Sequence, residues 1–78
     1  ETTFTVRVNE TAQVSLTIRD MNGQTVATLL DSRMPEGLFR ANWDGTISNG
    51  VNAGNGVYYY QLTIDGRQQA SGKVVFIN

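Results

Sequence analysis

The side chains that could perform acid–base chemistry in this chain are carboxylates, because the sequence contains no histidine and no cysteine. A Ser–His or Cys–His nucleophilic pair is therefore excluded, and zinc is disfavoured because most zinc sites use Cys or His. Nearly all of the carboxylates stand in or beside turn sequences, where Asp typically accepts hydrogen bonds from backbone amides. The sequence predicts that they shape turns, that the chain is not an enzyme and that it holds no cofactor. These carboxylates are Glu1, Glu10, Asp20, Asp31, Glu36, Asp44 and Asp65.

Calcium is the remaining metal hypothesis, because one glycine-rich loop concentrates oxygen ligands. The candidate ligands are Asp44, Thr46, Ser48, Asn49 and Asn52. An EF-hand loop needs glycine at its sixth position and glutamate at its twelfth, and this loop has asparagine at both. A single carboxylate also supplies little charge for tight binding. The sequence therefore favours a glycine-rich turn with no metal, and weak calcium binding is left open.

The aromatic residues flanking this loop are the largest apolar groups in its neighbourhood. Trp43 precedes the loop, and Tyr58 and Tyr60 follow it at alternate positions together with Leu62. These spacings predict that Trp43, Tyr58 and Tyr60 are structural anchors in the core, with the tyrosine hydroxyls reaching its rim. Tyr59 is expected to point outward.

The elements that position these residues are strands, because apolar residues alternate with polar ones along most of the chain. Strands are predicted over residues 2–8, 12–19, 24–30, 38–43, 57–64 and 70–77, with a short seventh over 47–51. Turns are predicted at Asn22-Gly23 and Asp65-Gly66, a loop at residues 31–37, and a bulge or bend near Thr28. In the last strand, apolar residues occupy both faces, which predicts that both faces are covered.

This pattern predicts an all-β domain without helices, because no segment has a sustained helical apolar period. Short strands separated by regular turn signals are typical of an antiparallel sandwich or barrel. Two sheets covering each other's apolar faces provide a core at this length, and residues 1–78 are expected to form a single domain.

Charge argues against a nucleic-acid partner, and hydropathy argues against a membrane-spanning helix. The formal net charge is −1 and the basic residues are scattered singly, which argues against a nucleic-acid partner. No apolar run approaches the ~20 residues needed to span a membrane as a helix.

Four stretches of the chain together resemble a known pattern. They are VSLTIRDMNGQTVATLL at 14–30, PEGLFRANWDG at 35–45, GVYYYQL at 56–62 and GKVVFIN at 72–78. The combination resembles the immunoglobulin-like domain of flagellar hook-capping proteins. It resembles equally the C-terminal sorting domains of the bacterial type IX secretion system.

The resemblance implies an immunoglobulin-like, fibronectin III-like antiparallel β-sandwich of six to seven strands. It further implies a non-enzymatic module of a secreted bacterial protein, located outside the cell or at its surface. The main functional prediction is a type IX sorting or anchoring domain, whose partner would be the secretion machinery.

Two alternatives are kept. In the first, the chain is a structural subunit of an extracellular filament or surface assembly, and neighbouring copies join by pairing of their terminal strands. In the second, Tyr59 and the glycine-rich loop form a carbohydrate-binding surface. The residues predicted to lie on interaction strands are Phe4, Val6, Val8, Lys73, Val74, Val75, Phe76 and Ile77.

Overall fold

The computed structural model describes residues 2–47 and 54–77 of the chain. Within these residues the regular secondary structure is entirely β, with six strands. The strands are β1 (Thr2–Val8), β2 (Ala12–Arg19), β3 (Thr25–Met34), β4 (Gly37–Trp43), β5 (Gly56–Ile64) and β6 (Arg67–Phe76).

The strands form two antiparallel sheets that pack face to face. One is a two-stranded sheet of β1 and β4, and the other is a four-stranded sheet in the order β3-β2-β5-β6. The chain crosses between the sheets after β1, after β3 and after β4. The predicted antiparallel β-sandwich is confirmed.

Alternation along each strand explains why the two sheets pack together. In β2 every second residue is buried, and these residues are Ala12, Val14, Leu16 and Ile18. In the facing sheet, Val6 and Val8 of β1 are buried in the same cluster as Val14 and Leu16. Each sheet therefore buries its apolar face against the other, and this burial drives the association.

The edge strand β3 is bulged and longer than predicted. Leu16 pairs with Leu30 and the next residue, Thr17, pairs with Thr28, so Leu29 is the extra residue of a bulge. This confirms the bulge expected near Thr28.

The prediction of a loop at residues 31–37 was wrong for Gly37, which begins β4, and for residues 31–34. Residues 31–34 continue β3 and pair with the first half of β2, from Met34 opposite Ala12 to Asp31 opposite Ser15. The polar sequence Asp31-Ser32-Arg33 resembles a loop, but the backbone ladder with β2 keeps it extended.

The prediction for the last strand also needs correction. β6 begins at Arg67, because Asp65 and Gly66 form a tight hairpin turn in which both have positive φ, and it ends at Phe76. Its outer face is not covered by the described residues, since Val75 is 55 % exposed and Ile77 79 %. The reason is that the β1–β4 sheet packs on the inner face only. The predicted seventh strand at 47–51 lies, apart from Ile47, outside the described residues.

An aromatic cluster closes one end of the sandwich. The Trp43 ring packs edge-on against Tyr58, with ring centroids 5.0 Å apart, and tilted against Phe76 at 5.5 Å. Because Trp43 lies on β4 and its two partners on β5 and β6, the cluster joins the two sheets. Trp43 and Tyr58 are buried and Tyr60 is half-buried against the core, and their role as structural anchors stays a prediction.

Gly45 gives Phe76 its place in this cluster. Gly45 has a φ of +86°, and a Cβ added to it would clash with three ring carbons of Phe76. We expect Gly45→Ala to destabilise the domain by roughly 2–4 kcal/mol, because it combines left-handed strain with overpacking of a buried ring. The free energy of unfolding from denaturant titration measures this loss.

Gly23→Ala is the matched control. Gly23 has nearly the same φ, +85°, but open space around the position of a Cβ. It should lose only the backbone term, ~1–2 kcal/mol. Equal losses in the two variants would mean that the Phe76 ring turns aside without cost.

Candidate interaction surfaces

The W-D-G stretch, residues 43–45 at the end of β4, forms a structural corner together with Thr46. One carboxylate oxygen of Asp44, Oδ1, accepts hydrogen bonds from the Thr46 N–H at 3.0 Å and from the Thr46 hydroxyl at 2.7 Å. The indole N–H of Trp43 donates to the Thr46 carbonyl at 2.9 Å, so the polar atom of this buried ring is satisfied. Thr46 is thus held by both Trp43 and Asp44, and the corner fixes how the chain leaves the core.

This arrangement bears on the calcium hypothesis. The carboxylate that would supply the charge already accepts two hydrogen bonds through one oxygen. The other proposed ligands Ser48, Asn49 and Asn52 lie outside the described residues. Among the described residues, no group of three or more His, Cys, Asp or Glu side chains is placed to hold a metal ion.

Two further aspartates organise turns. Asp20 Oδ1 accepts from the N–H groups of Asn22 and Gln24, at 2.9 and 3.0 Å, and so shapes the β2–β3 hairpin. Asp65 Oδ1 accepts from the Gln13 N–H at 2.9 Å, and the Asp65 N–H donates to the Gln13 carbonyl at 2.8 Å. This clamp holds the β5–β6 turn against the start of β2. It joins residues far apart in the chain, so no local pattern could have indicated it.

The residues predicted for interaction through β1 are mainly core residues. Val6 and Val8 are buried and Phe4 is half-buried against Tyr60, at a ring-centroid distance of 5.1 Å. The side chains of β1 that face outward are Thr3, Thr5 and Arg7. Within the described part of the chain β1 pairs with β4 alone. The part of β1 that a partner could contact is therefore its unpaired backbone edge and not these apolar side chains.

The predicted interaction residues of β6 fall into two groups. Val74 and Phe76 are buried, whereas Lys73, Val75 and Ile77 are exposed. β6 is an outer strand of the four-stranded sheet and pairs with β5. The structure therefore leaves three of the five side chains accessible to a partner.

A groove of about 300 Å³ lies between the end of β1 and the β5–β6 hairpin. Its apolar lining comes from both sheets, and Arg7, Glu10 and Asp65 surround it with charges of both signs. The apolar residues are Val8, Ala12, Leu62, Ile64 and Ala70. The core is therefore partly open on this side of the sandwich.

The outer face of the four-stranded sheet carries a feature that the sequence prediction missed. The register places Arg19 of β2 and Lys73 of β6 on either side of Tyr59 of β5. Val57 pairs with Val75 in the neighbouring row. The alternation predicted that Tyr59 points outward, and it is 43 % exposed. The alignment of three strands that brings the two cations beside it is not visible in the sequence.

Comparison with known proteins identifies the family. Residues 1–68 match the family model described as the FlgD Ig-like domain. The chain belongs to this family. The immunoglobulin-like fold is therefore established by the match together with the two packed antiparallel sheets.

A curated relative is consistent with the family. Over 58 residues the chain is 38 % identical to the basal-body rod modification protein FlgD of Escherichia coli (strain K12). The match covers 73 % of this chain and 25 % of that protein. The chain thus spans about a quarter of the length of this relative.

These findings correct two predictions. The attribution to a type IX sorting domain was wrong, because the family is the FlgD Ig-like domain and the relative is a basal-body rod modification protein. The extracellular or cell-surface location was wrong for the same reason, since it depended on that attribution. Neither the family description nor the relative's name refers to carbohydrate. In addition, the described residues contain no helix that could span a membrane.

The Asp44 corner makes a prediction about pH. The hydroxyl of Thr46, followed by its N–H, lowers the pKa of Asp44 below the ordinary value. Because the folded pKa is depressed, this stabilisation is present above the ordinary pKa and is lost as the pH falls through the folded pKa. We expect Thr46→Val to raise the pKa of Asp44 toward its ordinary value, as followed by carboxyl carbon chemical shifts in an NMR titration.

Thr46→Ser is the control for this titration, because it retains the hydroxyl. It should keep the pKa of Asp44 depressed. No rise in Thr46→Val would show that the hydroxyl of Thr46 does not donate to Asp44 in solution, and an equal rise in both variants would show that loss of the hydroxyl is not its cause.

Proposed function

We propose that this chain is a non-enzymatic, protein-binding module that acts in the assembly of the flagellar basal-body rod and hook. The observation that carries the proposal is the match of residues 1–68 to the FlgD Ig-like domain. The similarity to a basal-body rod modification protein supports it. Because the chain matches a quarter of that relative, the proposal concerns the module and not every activity of the parent protein.

The chemistry of the described residues favours binding over catalysis. Asp20 and Asp44 each use a carboxylate oxygen to accept backbone N–H groups of their own turns, and Asp65 uses one to accept the N–H of Gln13 in β2. Histidine and cysteine are absent from the sequence. Acid–base catalysis in a chain without histidine usually requires two carboxylates that can exchange protons with a substrate. The carboxylates of these three residues instead hold the backbone.

The edge of β1 is the proposed contact with a partner. In constant-type immunoglobulin domains the two sheets have four and three strands. Here one sheet consists, within the described residues, of β1 and β4 alone. An extended segment from a partner can add to the open edge through main-chain hydrogen bonds, with apolar side chains entering the groove beside Val8 and Leu62.

The function is tested by removing the module. In the bacterium that carries this chain, in-frame deletion of the segment encoding residues 2–77 should abolish or strongly reduce flagella, counted by electron microscopy, and swimming. The remainder of the parent protein must persist at normal level by immunoblot. Normal flagella in such a strain would contradict the proposal.

The edge of β1 is tested with a substitution that spares the core, since Val6 and Val8 are buried and a deletion of β1 would unfold the domain. Thr5→Glu places a charge beside the open edge, opposite Arg40, which can pair with it in the folded sheet. A charge on an edge strand disfavours the addition of another strand. We expect fewer flagella with no loss of thermal stability.

Thr63→Glu is the matched control, because Thr63 is also an outward threonine but lies on β5, which pairs on both sides. It should leave flagellation unchanged. An equal defect in both variants would mean that added negative charge, rather than a blocked edge, causes the loss.

A further inference from the structure

A second surface on the opposite sheet has the composition of a docking site. We call the outward-facing residues Arg19, Val57, Tyr59, Lys73, Val75 and Ile77 the cationic–aromatic patch. The cross-strand pairs Arg19–Tyr59, Tyr59–Lys73 and Val57–Val75 hold five of them in two adjacent rows on β2, β5 and β6. Ile77 follows Val75 by two residues. Because these strands are paired in one sheet, the patch is preformed on a rigid element.

The patch exposes more apolar surface than the rest of that face. Tyr59, Val75 and Ile77 are among the few large apolar residues exposed in the described structure. Further along the same face, the outward positions are polar, and Gln61, Gln68 and Ser71 form a chain of hydrogen bonds at 3.3 Å. An aromatic ring with an apolar neighbour, set beside a polar region, is the composition found at the centre of protein interfaces.

Charge restricts what can occupy the patch. Arg19 and Lys73 flank the ring of Tyr59, and the two rows of the patch contain no carboxylate. A partner segment with an acidic side chain next to aliphatic ones complements this pattern. Charge complementarity of this kind sets orientation and partner choice.

The other possible occupants fit less well. A second copy docking through the same patch would bring Arg19 and Lys73 against their own equivalents, which is repulsive in a two-fold contact. Nucleic acid and anionic membranes require a broad basic surface, whereas this chain has two cations at the patch and a formal net charge of −1.

We infer that the cationic–aromatic patch binds an acidic, aliphatic segment of a partner protein. This site lies on the outer face of the four-stranded sheet, whereas the β1 edge lies in the other sheet. It therefore goes beyond the proposed function and does not depend on strand addition.

The binding is tested with two synthetic peptides and the isotope-labelled 78-residue chain. One peptide alternates Glu with Leu and Val, and the other has Lys in place of every Glu. The acidic peptide should shift the backbone amide signals of Tyr59, Lys73 and Arg19 in NMR spectra, and the shifts should diminish with added salt. No shifts at the patch, or equal binding of the lysine peptide, would overturn the inference.

Variants separate the patch from the rest of the face. Tyr59→Ala and the pair Arg19→Gln with Lys73→Gln should each weaken binding by about tenfold. Gln61→Ala is the control, since Gln61 lies two residues from Tyr59 on the same face and outside the patch, and it should bind normally. An equal loss in this control would overturn the assignment to the patch.

Two measurements distinguish other occupants. If the chain sediments with phosphatidylglycerol vesicles and Tyr59→Ala abolishes this sedimentation, the patch binds a membrane and not a protein partner. If light scattering shows a dimer that is lost in the same variant, the patch binds a second copy of the chain. Failure of these binding tests leaves the flagellar deletion experiment unaffected, so the two proposals can fail separately.

Discussion

The packing of Trp43 against Tyr58 and Phe76 is the contact on which the rest of the structure depends. A cysteine-free domain of 78 residues has no disulfide staple, and so its two sheets are held by the apolar area that they bury together. Trp43 of one sheet and Tyr58 and Phe76 of the other contribute to this area. Their close fit requires Gly45 beside Phe76 and a carbonyl of Thr46 for the indole N–H. The W-D-G corner is therefore a condition for closing the sandwich at this end.

Local periodicity was sufficient to predict most of the fold. Residues 12–19 alternate cleanly, so the strand and its buried face could be read directly, and the tyrosines near Trp43 could be assigned to core or solvent by parity. Prediction failed where partners distant in sequence decide the outcome. Ser32 and Arg33 are polar but extended because β2 supplies a ladder for them. Likewise, the proximity of Arg19 to Tyr59 requires the register between β2 and β5.

The difference between local sequence signals and surface residues explains why the resemblance predicted the fold correctly while the function attributed from it was partly wrong. The residues that carry the resemblance include Trp43, Asp44 and Gly45, which build the corner, and Asn22-Gly23, which makes a hairpin turn with Asp20. Such residues specify an immunoglobulin-like domain wherever it is used. A type IX sorting domain and a flagellar module can share them, because fold and function are separate properties. The family match separates the two.

The unequal sheets place the accessible features on different sides of the molecule. In the part of the chain that the structure describes, the two-stranded sheet leaves a backbone edge at β1, and the strand addition proposed there uses hydrogen bonds that are largely independent of side chains. The four-stranded sheet presents fixed side chains on its outer face, and the binding proposed there depends on charge and shape. A partner strand added to β1 extends the β1–β4 sheet sideways. It therefore does not cover Arg19, Tyr59 and Lys73 on the outer face of the four-stranded sheet. If both proposed contacts form, one small module holds two partners at once, and linking two contacts in this way raises the overall affinity through effective concentration. A protein that helps to build an ordered assembly needs this capacity, since it must hold one component while the next is positioned.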